Sequence, residues 1–293
     1  MMETRCPPLP APSRDMEQAR RDLRETGCCI IPDLLSPDQV SDLLARTLEQ
    51  AECERAAGIA SCESGAGRTA YANDGPNQRV WNLLNKGDAF APIAEHPLIL
   101  DLVRDVLGDD ILLSSLTANI AGKGGSEMFL HMDQGSLPAY FSEPVVCNVA
   151  WILSGYSEEG GATRIIPNSH HLGYRRSEEM QGSATVAAAA PPGSALIFEG
   201  RIWHATGENL TDDPRVALLA FYSKPWLRQQ ENGVASIRDD VLAGASDTLK
   251  TLLGFRTWAA LGGLDGHNTY GAPFTSRARG SIGPLERARG RKQ

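Results

Sequence analysis

The sequence predicts a mainly β protein with flanking helices, and three observations carry that prediction. Seven short runs of β-type composition follow one another from about residue 111 onward, turn signals separate them, and helical periodicity is confined to the chain on either side. Runs in that order without intervening helices predict an antiparallel sandwich or barrel.

Residues 1–14 are proline-rich and are expected to be disordered. DMEQARRDLRETG then sets Met16, Ala19 and Leu23 on one helical stripe and ends at Gly27, a left-handed cap. CCIIPDLL reads as a short apolar strand. In SPDQVSDLLARTLEQAE, Ser36 caps a helix, Pro37 takes its first position and Gln39 stands where a capping box needs it. Residues 54–80 are rich in Gly, Ser, Ala and Asn without a period and predict an irregular loop. HPLILDLVRDVLGDD is a helix opened by Pro97, with Ile99, Leu102, Val103 and Val106 on its apolar face and Gly108 at its close.

The β-type runs are ILLSSLTANI, EMFLHMD, VVCNVAWILS, ATRIIP, SALIFEG, RIWHAT and RVALLAFYS. Beyond Lys224 the pattern predicts a helix over 235–254, then the Gly-rich TWAALGGLDGHNTYGAP and a basic, disordered tail over 276–293. One domain over 15–275 is therefore expected.

A hydrophobic content of 42% over 293 residues supports a sizeable core. The net charge of −8 leaves no electrostatic footprint for nucleic acid, so the expected partner is a small-molecule substrate. Cys6, Cys28, Cys29, Cys53, Cys62 and Cys147 form no CxxC pair and read as free thiols of a reducing compartment. The N-terminal stretch has no apolar core of a signal peptide, and nowhere do eighteen apolar residues run together. A cytoplasmic protein without a membrane segment is the expectation, and its final RKQ differs from the peroxisomal tripeptide.

Chemistry concentrates in FLHMDQGS, residues 129–136. On a strand, positions i and i+2 share a face, so His131 and Asp133 would present an imidazole and a carboxylate to one point. A third ligand has to come from His96, His170, His171, His204 or His267, and of these only His204, in RIWHAT, lies in a downstream β-type run. Two neutral imidazoles and one carboxylate on one face of a cation leave the opposite positions open, as non-haem iron(II) requires; zinc accepts the same donors. Eleven positions after His204, Arg215 opens the next β-type run. Its guanidinium can grip a carboxylate with two parallel hydrogen bonds, which suits a co-substrate such as 2-oxoglutarate.

The ordered set FLHMDQG, GGATRIIPNSH, PPGSALIFEGRIWHATGEN and PRVAL resembles the phytanoyl-CoA dioxygenase family of iron(II)/2-oxoglutarate oxygenases. TGCCIIPDLLSPDQVSDLL and HPLILDLVRDVLGDD are similar to that family as well, so the resemblance spans roughly residues 18–225, and members from natural-product pathways are the most alike. The resemblance implies a double-stranded β-helix, the cupin-like jelly roll. It implies His131, Asp133 and His204 as iron ligands, Arg215 as the salt-bridge partner of 2-oxoglutarate, and Thr163 as a hydroxyl on the same carboxylate. Asn82, in RVWNLLNK, is similar to a polar active-site residue of some relatives. Several relatives carry glutamine three residues before the first iron histidine, where this chain has Met128.

The implied reaction is oxidation of a natural-product intermediate by iron(II), O2 and 2-oxoglutarate, with release of succinate and CO2. Hydroxylation is the default outcome, and desaturation, epoxidation or rearrangement can branch from it. Relatives also imply a homodimer in which one chain's loops close its neighbour's pocket. Two rival readings remain open at the level of sequence: a zinc hydrolase on a cupin-like barrel, which has no use for Arg215, and a non-catalytic jelly roll that binds metal or 2-oxoglutarate. Trp151, Trp203 and Met132 are expected in the core, while Met128, Tyr140, Phe141 and Trp226 are candidates for a pocket wall.

Overall fold

A computed structural model of the chain describes residues 6–64, 68–72 and 75–263. Its elements in order are α1 (Met16–Glu25), β1 (Cys28–Ile31), α2 (Pro37–Ala56), β2 (Ser61–Ser64), β3 (Arg68–Ala72) and β4 (Asn77–Val80). Next come α3 (Ala91–Ala94), α4 (Pro97–Leu107), β5 (Leu112–Ala121), β6 (Val146–Ser154), β7 (Thr163–Ile165), α5 (Ser177–Met180) and β8 (Val186–Ala187). β9 (Ala195–Glu199), β10 (His204–Thr206), β11 (Arg215–Ser223), α6 (Gly233–Ser236), α7 (Asp239–Gly244) and α8 (Asp247–Leu252) complete the set.

The strands form two antiparallel sheets, an eight-stranded one in the order β1-β9-β6-β11-β5-β4-β2-β3 and a three-stranded one in the order β10-β7-β8. Strand alternation gives the large sheet two different faces. Outward, Cys29, Cys147, Val149, Trp151, Ile197, Leu218 and Tyr222 pack with Leu23, Leu43, Ile99, Leu102 and Val103 of α1, α2 and α4 in the main core. Inward, Cys28, Ile30, Ala150, Leu196 and Phe198 meet Ile165 and Ile202 from the side of the small sheet. This is the predicted jelly roll, with helices covering one face and the second sheet facing the other. Trp151 and Trp203 are buried as expected, and Met132 packs with Leu130, Met180 and Trp203.

The helix starts follow the sequence. Ser36 accepts from the Gln39 backbone N–H at 3.2 Å, and the Gln39 side chain accepts from the Ser36 N–H at 2.9 Å, completing the capping box. Ser36→Ala is expected to lower stability by about 1 kcal/mol, read as a shifted denaturation midpoint at unchanged slope. A change within error would show that α2 is held by packing alone.

Four expectations need correction. Residues 6–14 lie against the sheet: Leu9 packs against the inner cluster that contains Cys28 and Ile30, the Ser13 N–H reaches the Ile30 carbonyl at 3.0 Å, and Arg14 donates to the Asp33 carbonyl at 2.6 Å. β1 is an edge strand, and a proline-rich segment with few donors covers such an edge without needing a helical or strand period. Residues 54–80 hold the end of α2 and strands β2–β4, which extend the large sheet beyond β5. EMFLHMD contains no strand, only a bridge between His131 and His204. The single helix over 235–254 is instead three short ones, α6–α8, with Ser246 capping α8 through the Leu249 N–H at 2.9 Å. The tail at 276–293 lies outside the described residues, as does His267.

The six cysteines are free thiols, and burial pushes Cys28 up to about 12, so it serves packing. No helix among the described residues is long and apolar enough to cross a membrane.

Candidate metal centre

His131, Asp133 and His204 come together at the mouth between the two sheets, their ligand atoms all within 4.8 Å of one another. β10 carries His204, and the bridge exchanges two backbone bonds with His131, at 3.0 and 2.9 Å. Asp133 is placed by a 3₁₀ turn over Asp133–Ser136, not by strand alternation. The pairing that sequence reasoning attributed to a shared strand face is therefore made by a bridge and a turn.

Each imidazole is aimed by its own backbone. His131 Nδ1 lies 3.1 Å from the Phe129 carbonyl and His204 Nδ1 lies 3.1 Å from the Ile202 carbonyl. A ring that donates through Nδ1–H presents the lone pair of Nε2, and both Nε2 atoms stand 3.8 Å from Asp133 Oδ1. Burial, reinforced by the neighbouring His204 ring, pushes His131 down to about 4, so it is neutral at physiological pH. Asn148, on β6, donates from Nδ2 to Asp133 Oδ2 at 3.2 Å. Two imidazole nitrogens and one carboxylate oxygen, all preset, fit a divalent cation of the iron(II) type.

Arg215 opens β11 and is 2% exposed. Its Nε donates to the Gly161 carbonyl at 3.1 Å and its Nη1 to the Asn119 carbonyl at 3.3 Å, while Tyr156 stacks beneath it, 5.5 Å from Cζ to the ring centroid. Gly161 sits at φ +83°, where a Cβ would stand 2.7 Å from the Gly207 carbonyl, so only glycine lets this loop meet the guanidinium. Thr163 hydrogen-bonds the Tyr156 hydroxyl. Arg215, Thr163 and the three metal-type ligands line one cleft that holds about 620 Å³ of non-atom space, part of it open to solvent.

Sheet register explains the rest of the wall. Phe198, Asn148, Phe221 and Ser115 form one row across β9, β6, β11 and β5, and Leu219 and Thr117 lie in the next. Arg79 of β4 pairs in register with Asn119, and both line the cleft. Sequence reasoning missed Arg79, Asn148 and Tyr156. The available signal was Asn148 itself, a carboxamide inside the otherwise apolar VVCNVAWILS.

Asn82 is not brought to this cleft. It occupies a left-handed turn at φ +55°, its N–H donates to Glu231 Oε1 at 2.6 Å, its Oδ1 accepts from Ser236 Oγ at 3.1 Å, and it lines a separate small cavity. Asparagine tolerates that backbone conformation, which accounts for the residue structurally. Met128 does line the cleft, with its side chain against the Leu130–Trp203 cluster. Phe141 pairs with Trp226 and Tyr140 with Tyr174, and none of these borders the metal-type ligands. His96 meets Trp151 edge to face with centroids 5.2 Å apart.

His170 also lies apart, with Nε2 donating to the Arg24 carbonyl at 3.1 Å and Nδ1 enclosed with no partner among the described residues. Burial pushes it down to about 4, with the adjacent His171 and Arg201 charges acting the same way. A histidine whose folded pKa lies below its unfolded value of about 6.5 contributes stability above that value and loses it as pH falls toward the folded pKa. The melting temperature is therefore expected to drop more steeply between roughly pH 7 and 5 in the wild type than in His170→Gln. Parallel curves would refute this.

A sequence model of the family described as Phytanoyl-CoA dioxygenase (PhyH) matches residues 23–217. Dioxygenase af480 of Aspergillus fumigatus is 33% identical over 259 residues, covering 84% of this chain and 81% of that protein. Two solved structures share the fold. The alpha ketoglutarate dependent carbocyclase SnoK from nogalamycin biosynthesis superposes at a TM-score of 0.60 with 19% identity, covering 74% of this chain and 88% of its own. The epimerase SnoN in complex with Fe3+, alpha ketoglutarate and nogalamycin RO gives 0.59 at 20% identity, covering 72% and 84%.

Proposed function

The chain belongs to the phytanoyl-CoA dioxygenase family, and from that membership we propose that it oxidises a small natural-product intermediate at a C–H bond, using iron(II), O2 and 2-oxoglutarate at the cleft around His131. The family makes it an oxygenase, which sets aside the zinc hydrolase. The observation that carries the reading is the convergence of His131, Asp133 and His204 on one point, in the same cleft as the buried Arg215 and Thr163.

In this reading His131 and His204 bind the metal through Nε2 and Asp133 through Oδ1. Held there, iron(II) would supply the redox chemistry by which O2 takes two electrons from 2-oxoglutarate, as it loses CO2 and becomes succinate, and two from the substrate C–H bond. Arg215 holds the far carboxylate of 2-oxoglutarate by charge-assisted hydrogen bonds, with Thr163 beside it. Phe198, Phe221 and Leu219 exclude water from the metal side of the cleft. Ser115, Thr117 and Asn119, on the neighbouring strand β5 of the same sheet, offer hydrogen-bonding groups along the cleft, which suits an oxygenated substrate.

The experiment is direct. Anaerobically purified protein given iron(II), labelled 2-oxoglutarate, O2 and candidate substrates is expected to release labelled succinate well above a His131→Ala control. Equal release from the two would sink the proposal.

A further inference from the structure

We propose that Asn148 is a positioning residue for the metal, a role that rests on reading His131, Asp133 and His204 as the metal site. Its carboxamide orients Asp133 so that one oxygen, Oδ1, is offered as the ligand. The two carboxylate oxygens have different surroundings: Oδ1 is 3.8 Å from each imidazole Nε2, whereas Oδ2 accepts from Asn148 Nδ2 at 3.2 Å. A carboxylate tethered through one oxygen binds a cation through the other. Released from that tether, it can turn and bind with both oxygens, taking a position that a chelating keto acid needs.

The other end of the same side chain makes nothing. Asn148 is 6% exposed, and its Oδ1 is buried without a partner among the described residues. Phe198 and Phe221 flank it across the sheet, so its row is apolar on both sides. Exchanging the amide ends would set Asn148 Oδ1 against the Asp133 carboxylate, acceptor against acceptor, so the assignment of Nδ2 to Asp133 is fixed by chemistry. Packing alone would be served better by an apolar residue of the same shape, because a buried acceptor without its hydrogen bond is destabilising. A polar residue kept in an apolar strand with one end unsatisfied is there for the end that is satisfied.

The test uses Co(II) as a spectroscopic probe. Metal-free full-length wild type, Asn148→Leu and Asn148→Ser are titrated with Co(II), following the visible absorption, and each metal-free protein is melted in parallel. The expected result is a Co(II) affinity weakened about 10- to 100-fold in both variants, with an altered visible spectrum, while metal-free Asn148→Leu melts close to wild type. Wild-type affinity and spectrum in either folded variant would overturn the proposal. So would a variant that loses metal-free stability yet binds Co(II) unchanged, since that marks a packing role. Should Asn148→Leu fail to fold, Asn148→Ser decides by the same criteria. A wild type that takes up no Co(II) overturns the reading of the triad, and this inference with it.

Discussion

Asp133→Ala is expected to abolish succinate formation and to weaken iron(II) binding by more than about 100-fold, while leaving the fold intact. Loss of even a group that only supports a metal ligand typically costs 10- to 100-fold, so removal of the ligand itself exceeds that range. Asp133 is the carboxylate of the set, and His131 and His204 without it are two imidazole nitrogens competing with water for a dication. The fold should tolerate the change because Asp133 lies in a short 3₁₀ turn, whose backbone is held from the next position: the Gln134 N–H reaches the Gly200 carbonyl at 2.9 Å, and Gln134 Nε2 binds the Phe141 and Glu143 carbonyls at 3.1 and 2.8 Å. Anaerobic iron(II) titration with a melting curve of each metal-free protein separates the two effects. Retained iron affinity in Asp133→Ala would remove this residue from the site, and with it the facial arrangement of donors.

The same turn shows how far a sequence can be read. His131 and Asp133 were legible as a pair because two ligand-type residues stand two positions apart in a stretch that also resembles a family motif. The geometry that joins them was not, because the intervening backbone is neither strand nor helix and the decisive contacts come from residues far along the chain. His131 is held by the His204 backbone, and Gln134 by Gly200. The strands made of near-continuous apolar runs, such as β6 and β11, were read within one residue of their observed ends. β4 was invisible for a physical reason: Arg79 faces a polar cleft and NQRV holds a single apolar residue, so the strand carries neither the apolar run nor the alternation by which strands are recognised. Asn82 failed in the opposite sense, since a polar residue in a suggestive sequence context is occupied by a left-handed turn and by bonds to Glu231 and Ser236. Arg215 was legible from its spacing, but its rigidity was not, because the carbonyls that fix it belong to Gly161 and Asn119.

That rigidity leads to the second large effect. Arg215→Lys keeps the positive charge and is nevertheless expected to raise the KM for 2-oxoglutarate by about 30- to 150-fold, equivalent to about 2–3 kcal/mol at roughly 1.4 kcal/mol per tenfold. The guanidinium plane is set by two donated bonds, to Gly161 and Asn119, and by the Tyr156 ring stacked against it. An ammonium group has no plane to set and cannot give a carboxylate two parallel hydrogen bonds. It would also leave at least one of the two carbonyls without its donor in a buried setting, a loss of about 1–3 kcal/mol that should appear as a lower melting temperature. The diagnostic feature is the separation of parameters. Iron(II) affinity measured without 2-oxoglutarate should stay at the wild-type value, because the donor set of the metal is His131, Asp133 and His204 while the bonds that fix the guanidinium plane run to the Gly161 and Asn119 carbonyls, and the KM of the co-substrate should carry the defect. An unchanged KM for 2-oxoglutarate in a folded Arg215→Lys variant would mean that Arg215 is a structural cation at the root of β11, and that the co-substrate's far carboxylate is held elsewhere in the cleft.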